Sequence, residues 1–341
     1  MLAHAILAAA SQAWPPFVLV AGLLLIGAVA AADGLFEVIG AKLARARLGA
    51  LGLLIGLLAL VAVVSAVLNL DTAVVFLTPV LVHAARRRQL DERPFLYGSV
   101  FMANAASLLL PGSNLTNLLV LRSHPQPGTA FATQMLPAWF VACTLTCAFL
   151  SLAFRLQDGR RDDTELPPFR IRVGALATLA AAALLVALPN PAIPVLAVGL
   201  GATALRRLRP RLDPRALTLL FALAVGLGTA ARLWHAPAHL LDPSGEWTAA
   251  GIGAVASVLL NNLPAAVLLS AQPAAHPDAL LLGLDLGPNL AVTGSLSAVL
   301  WLQAARSVGA HASITTYSRL GLLLVPLTLV AGLLTTLPAG W

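Results

Sequence analysis

Long apolar runs separated by short polar clusters organise the whole chain. Runs near 17–32, 95–121, 131–154, 171–188, 192–205, 216–231, 277–303 and 319–338 approach or reach the roughly 17–25 residues of a bilayer-spanning helix. Strand-length alternation of apolar and polar positions is absent, which argues against a β-barrel. The stretch before Phe17 has no basic cluster at its start and runs into Trp14-Pro15-Pro16. It reads as a retained N-terminus rather than a cleaved signal peptide.

Two regions do not fit simple crossings. Residues 49–67 are apolar, Asn69-Leu70-Asp71-Thr72 interrupts, and 73–83 is apolar again before Arg86-Arg87-Arg88. The piece from Ala73 to His83 is about 16 Å as a helix, short of a core about 30 Å thick. A single crossing over 49–83 would also separate Lys42, Arg45 and Arg47 from the triple arginine. A re-entrant hairpin keeps all of them on one side, as the bias of basic residues toward cytoplasmic loops requires.

The same shape recurs at 247–272, interrupted by Asn261-Asn262-Leu263-Pro264. Ser65-Ala66-Val67-Leu68-Asn69 matches Ser257-Val258-Leu259-Leu260-Asn261, and Pro111-Gly112-Ser113-Asn114 matches Thr293-Gly294-Ser295-Leu296. Each half, 1–165 and 166–341, therefore holds a hairpin followed by a broken span, at about 95–121 and 277–303. Threading the arginines through this order leaves Arg122 and Arg232 outside and the other basic residues inside. The two hairpins then open to opposite sides, the inverted repeat typical of secondary carriers. The expected fold is an all-α integral membrane protein with about eight to ten transmembrane helices, in the cell membrane.

Composition agrees with that class. Apolar residues make up 59% of the 341 residues and charged residues 10%, far below the quarter a soluble domain carries. The net charge of +7 comes from arginines in short loops, so it reads as topology and not as a nucleic-acid footprint. No phosphate-cradling GxxxxGK[ST] occurs, the histidines lack metal-ligand spacing, and no nucleophile–base constellation stands out. Nothing in the pattern calls for a cofactor or an enzyme.

The candidate chemistry lies at the interruptions. Hairpin tips and breaks inside a bilayer expose helix ends whose N–H and C=O groups need partners. Asn69, Thr72, Asn261 and Asn262 stand at the tips. Asn104, Ser107, Ser113, Asn114 and Asn117 belong to the first broken span, and Asp285, Asn289, Thr293, Ser295 and Ser297 to the second. Such residues either satisfy kinked backbone or bind a small polar substrate, and two matched clusters facing helix breaks favour binding. Asp71 and Asp285 are carboxylates in apolar surroundings, which makes each a candidate proton carrier or, at the least, a helix cap. Asp33 and Glu37 fall near an interface and are weaker candidates. Cys143 and Cys147 share a helix face at i, i+4. That spacing suits a thiophilic ligand, though small packing residues are the simpler reading. No Arg or Lys falls at either tip or break, which leans toward a neutral or weakly acidic substrate.

These segments resemble the arsenite-efflux permeases of the ion-transporter superfamily. Asn69-Leu70-Asp71-Thr72-Ala73 running on to Thr78-Pro79 resembles their first hairpin. Phe101-Met102-Ala103-Asn104-Ala105-Ala106-Ser107 with Ser113-Asn114-Leu115-Thr116-Asn117 is similar to their ADTASLPLxxSNLxN stretch. Leu260-Asn261-Asn262-Leu263-Pro264 is similar to MNNLP, and Asp285-Leu286-Gly287-Pro288-Asn289 through Thr293-Gly294-Ser295-Leu296 and Leu300-Trp301 to CDLGPKxTPIGSLATLLW. The resemblance covers roughly residues 33–330. It implies a secondary carrier that moves trihydroxy-arsenic or antimony species out of the cell in exchange for protons. In some members an arsenical-pump ATPase subunit docks on the cytoplasmic side. Carried over, Asn69, Asp71, Thr72, Asn104, Ser107, Ser113, Asn114 and Asn117 form one half-site, and Asn261, Asn262, Asp285, Asn289 and Ser295 the other. The chain departs from the pattern at the first tip, where those pumps read Asn-Asp-Gly, and at Asn289, where they have Lys. A sodium- or proton-coupled carrier for another small anion is the alternative, and a non-transporting membrane subunit a more distant one.

Overall fold

The computed structural model describes residues 1–122, 126–157, 159, 171–188, 190–209, 214–234, 241 and 245–336, and every element among them is helical. Helix α1 (Leu2–Ala32) leads into the short α2 (Leu35–Arg45), then α3 (Ala50–Leu68) and α4 (Leu70–Arg87). A broken helix follows: α5 (Arg93–Ala106), a 3-10 turn at Pro111–Ser113, and α6 (Leu115–Leu121). Next come α7 (Gly128–Ala153), α8 (Val173–Ala187), α9 (Ala192–Leu205) and α10 (Pro214–Trp234). A second hairpin, α11 (Glu246–Leu260) and α12 (Asn262–Leu269), precedes a second broken helix. That helix consists of α13 (Pro277–Leu286), 3-10 turns at Gly287–Leu290 and Val292–Gly294, and α14 (Leu296–Ser307). Helix α15 (Ile314–Thr336) closes the described chain.

Four of these helices, α1, α3, α7 and α15, are long and apolar enough to cross a membrane unaided. Large side chains such as Leu51, Phe140, Leu179, Leu219 and Leu322 face outward, which is unstable in water and ordinary against lipid tails. The chain is a multi-pass membrane protein.

The structure changes several expected boundaries. Helix α1 begins at Leu2 and continues through Pro15 and Pro16, where a start near residue 17 was expected. Each proline removes a bond to the carbonyl four residues earlier, at Ser11 or Gln12. That polar end of the helix is held from the side instead, as Gln12 Nε2 donates to Leu119 O (3.1 Å) and Ser270 O (3.2 Å). The second arm of the first hairpin spans Leu70–Arg87, about 27 Å, so the short arm expected to end at His83 is not what makes it a hairpin. The helix continues because Ala84-Ala85 propagate it and Arg86 and Arg87 suit its negative C-terminal end. What makes it a hairpin is its closed base. The buried Arg88 donates to Ala44 O (3.0 Å) and Leu48 O (2.9 Å), tying the end of α4 to the chain entering α3. Its tip meets α1 at Gly27, where an added Cβ would lie 2.3 Å from Thr72 Cγ2, so the tip stops well short of the far end of α1. The second hairpin is α11–α12, and the second broken helix extends to Ser307 rather than 303.

Contacts at the two ends show how the hairpins are opposed. At the base of the first, Arg86 donates to Glu92, Val308 O (2.6 Å) and Gly309 O (3.1 Å). At the same basic end Arg206 pairs with Asp33 (2.7 Å), whose other oxygen accepts from Gly174 N (2.8 Å). The base of the second hairpin is at the opposite end, where Gln134, near the start of α7, donates to Asp278. There Arg232 donates to Gln12 and to Gly228 O. The second arm of each hairpin packs against the distal half of the other broken helix: α4 on α14, and α12 on α6. Within the second half α11 and α13 cross backbone to backbone, since a Cβ on Gly283 would lie 2.1 Å from Ala250 O. Only glycine fits that crossing.

Candidate functional site

The two tips share one uncommon backbone state. Asn69 has φ 125° and ψ 166°, and Asn261 has φ 78° and ψ 146°. Non-glycine residues rarely occupy this region, at a cost on the order of 1–3 kcal/mol. Each asparagine recovers part of it by capping the helix it opens. Asn69 Oδ1 accepts from Thr72 N (2.8 Å) and Asn261 Oδ1 from Leu263 N (3.3 Å). Asn261 Nδ2 also donates to Thr293 O (3.1 Å), fixing the second tip to the second break.

The breaks use the same device. Asn114 Oδ1 caps α6 at Thr116 N (3.1 Å), and Ser295 Oγ caps α14 at Ala298 N (3.2 Å). Ser113 Oγ lies within bonding distance of Ser107 O and Leu110 O and donates to one of them at a time, and Asn117 Nδ2 donates to Ser107 O (2.8 Å), so both consume carbonyls freed where α5 ends.

Between the breaks the two halves meet in one buried polar cluster. Asp285, wholly buried at the end of α13, accepts from Asn114 Nδ2 (2.8 Å) and faces Ser107 Oγ at 3.2 Å. Asn104 Nδ2 donates to Asn289 Oδ1 (2.7 Å), and Asn289 Nδ2 to Phe101 O (3.4 Å). Ser107 Oγ also donates to Asn104 O (2.8 Å). A serine has one hydrogen, so it cannot give both bonds at once. A protonated Asp285 resolves the count: its O–H donates to Ser107 Oγ, which donates to Asn104 O. The site therefore accommodates the neutral acid. Asn104 Oδ1 on α5, Thr116 Oγ1 and Asn117 Oδ1 on α6, and Thr72 Oγ1 at the first tip are buried polar atoms without partners.

The expected residues thus divide. Asn104, Ser107, Ser113, Asn114, Asn117, Asp285 and Asn289 come together. Asn69 and Thr72 form the first tip, Asn261 and Asn262 the second, and Ser295, bonded to Ser297 (2.8 Å), caps α14. Asp71 is half-buried on the first turn of α4 and does not bond to the cluster. Asp33 is stitched into the basic end, and Cys143 and Cys147 pack against the apolar core on α7.

Sequence patterns did not single out what closes the cluster on its basic side. Tyr97, Phe101, Trp301 and Tyr317 stack with centroid separations of 4.8–5.4 Å for Phe101–Tyr317, Tyr97–Trp301 and Trp301–Tyr317. Trp301 Nε1 donates to Leu96 O (2.8 Å) and Tyr317 OH to Pro288 O (3.0 Å). All four are buried. Their spacing along α5, one turn apart from Tyr97 to Phe101 to Asn104, was the available signal.

The sequence profile of the CitMHS family, described as "Citrate transporter", matches residues 1–287. No curated protein matches the sequence significantly. Among solved structures, the YdaH transporter of Alcanivorax borkumensis, described as having an unusual topology, is similar with a TM-score of 0.59. The match has 15% identity and covers 97% of this chain and 86% of that one.

Proposed function

The chain belongs to the CitMHS citrate-transporter family and is a secondary transporter, and from that premise we propose that it exports arsenite or antimonite in exchange for protons. The observation that carries the reading is the make-up of the buried cluster. It presents one carboxylate, amides and hydroxyls, and among the described residues no basic side chain bonds to it. Such a lining suits a small neutral hydroxide. A tricarboxylate would bring several negative charges against Asp285 without a fixed cation to offset them.

In this account Asn104, Ser107, Asn114, Asn117 and Asn289 bind substrate from the breaks, with Ser113 and Ser295 holding the helix ends. Asn69, Thr72, Asn261 and Asn262 complete the site from the tips. Asp285 carries the coupling proton and Asp71 assists from the first tip. The halves 1–165 and 166–341 rock against each other about this centre. The basic end faces the cytoplasm of a cell membrane, and an arsenical-pump ATPase subunit would dock there. The family description favours a second reading, a cation-coupled carrier of small carboxylates. Expression in an arsenite-sensitive host separates the two. The proposal expects faster growth on arsenite and lower cell-associated arsenic than vector alone. No change in either, together with citrate uptake, would replace it with the second reading.

A further inference from the structure

A cavity lies away from the Asp285 cluster, at the end of the molecule opposite the basic one, which the bias of positive charge places outside. It is a cleft of about 430 Å³ between α1, the first break, the start of α7 and the α8–α9 turn. Trp14, Arg122, Gln126 and Asn190 contribute its polar groups, and Pro111 and Gly112 form part of its wall. Concave apolar walls with a few converging polar groups are the usual build of a small-molecule site.

Charge arithmetic sets the ligand class. The N-termini of α7 (Gly128) and α9 (Ala192) and the C-terminal ends of α6 (Leu121) and α8 (Leu185) all reach the cleft. Their partial charges, about half a unit each, nearly cancel. Among the described residues no acidic side chain lines it, and the guanidinium of Arg122 supplies a net positive charge. Trp14 and Arg122 are exposed, and Arg122 is planar and forked, the geometry that grips a carboxylate or phosphate with two bonds.

We propose that this cleft is an outward-facing binding site for a small oxyanion, a carboxylate or a phosphate, held by Arg122 and distinct from the Asp285 centre. The cleft shares its wall with that centre, because Pro111–Gly112 run on into Ser113 and Asn114, and Asn114 holds Asp285. On the other side the aromatic stack seals the cluster. An anion in the cleft therefore sits against the first break while the basic side is shut. The inference stands apart from the arsenite reading and goes beyond it.

Equilibrium binding of radiolabelled citrate to the full-length protein in phosphatidylcholine nanodiscs tests it. Wild type should bind saturably, Arg122→Gln should bind at least about tenfold more weakly, and Arg122→Lys should fall between. Asp285→Asn should bind as wild type does. Thermal unfolding of each variant checks that the fold persists. Adding phosphatidylglycerol distinguishes the source: if a lipid headgroup is the natural occupant, the apparent Kd for citrate rises in wild type and not in Arg122→Gln. Citrate binding that survives Arg122→Gln and is lost in Asp285→Asn would overturn the proposal and place the anion at the transport centre. Absence of citrate binding combined with no effect of phosphatidylglycerol on thermal stability would overturn it as well.

Discussion

Replacing Asp285 by Asn and by Ala separates its chemistry from its structural role. In the neutral acid, one oxygen accepts from Asn114 Nδ2 and the other donates to Ser107 Oγ, at 2.8 and 3.2 Å. Asparagine reproduces this pattern, its carbonyl facing Asn114 and its amide donating to Ser107. Its cost should stay within about 1 kcal/mol, the size of a single exchanged hydrogen bond. Alanine strands the Asn114 amide in a site that water does not reach and leaves a small void. Stranding a buried donor costs roughly 1–3 kcal/mol, and with the lost packing the sum is roughly 2–4 kcal/mol. At about 2–4 °C per kcal/mol for larger domains, Asp285→Ala should unfold roughly 4–16 °C below wild type and Asp285→Asn within a few degrees of it. Both should lose proton-driven transport, because neither side chain can release a proton. Thermal unfolding of purified protein and pH-gradient-driven transport in vesicles provide the two readouts. Equal destabilisation by Asn and Ala would refute the hydrogen count, and proton-driven transport by Asp285→Asn would refute the coupling role.

Three further outcomes follow from other parts of the fold. Arg88→Met should lower thermal stability by roughly 2–4 kcal/mol, since it strands the carbonyls of Ala44 and Leu48 at the hairpin base; an unchanged unfolding temperature would show that the base is held otherwise. In the loop before α5, burial pushes the Asp91 carboxyl up, but the hydrogen bonds and charge of Arg93 outweigh it and hold the group below the usual carboxylate range. A lowered folded-state pKa stabilises above the unfolded value and is lost as pH falls through the folded one, so Asp91→Asn should cost under about 1 kcal/mol at pH 7 and progressively less as the solution is acidified below the usual carboxylate range; an equal cost at neutral and acidic pH would refute this. Single cysteines beside Arg86 and beside Asp278 should label from opposite sides of the membrane, and labelling from one side would contradict the opposed hairpins.

Much of this architecture was legible because the bilayer imposes strict rules on sequence. A polar interruption such as Asn69-Leu70-Asp71-Thr72 inside apolar sequence is affordable only where backbone ends meet partners, so the tips and breaks stood out. Residues Asn104, Ser107, Asn114, Asp285 and Asn289 were identifiable one by one. Their mutual pairing across more than 170 positions was not, because single-sequence patterns do not encode which distant helices touch. Helix boundaries were less legible. Pro15 and Pro16 looked like a start, yet side-chain bonds from Gln12 hold the neighbouring helices to that end, and α4 passed its expected end because Ala84-Ala85 remain good helix formers. Asp71 was matched with Asp285 by its setting, but it sits half-buried on the first turn of α4 without a bond to the cluster, while Asp285 lies where two broken helices converge.

The central claim, that Asp285 couples outward movement of a small neutral hydroxide to protons, is tested most directly in proteoliposomes with an acidic interior. Purified wild-type protein should accumulate arsenite inside, against its gradient, as protons leave, and a protonophore should abolish the accumulation. Asp285→Asn should show none although it is inserted equally well. Arsenite movement that ignores the pH gradient, or accumulation that requires sodium instead, would contradict the account.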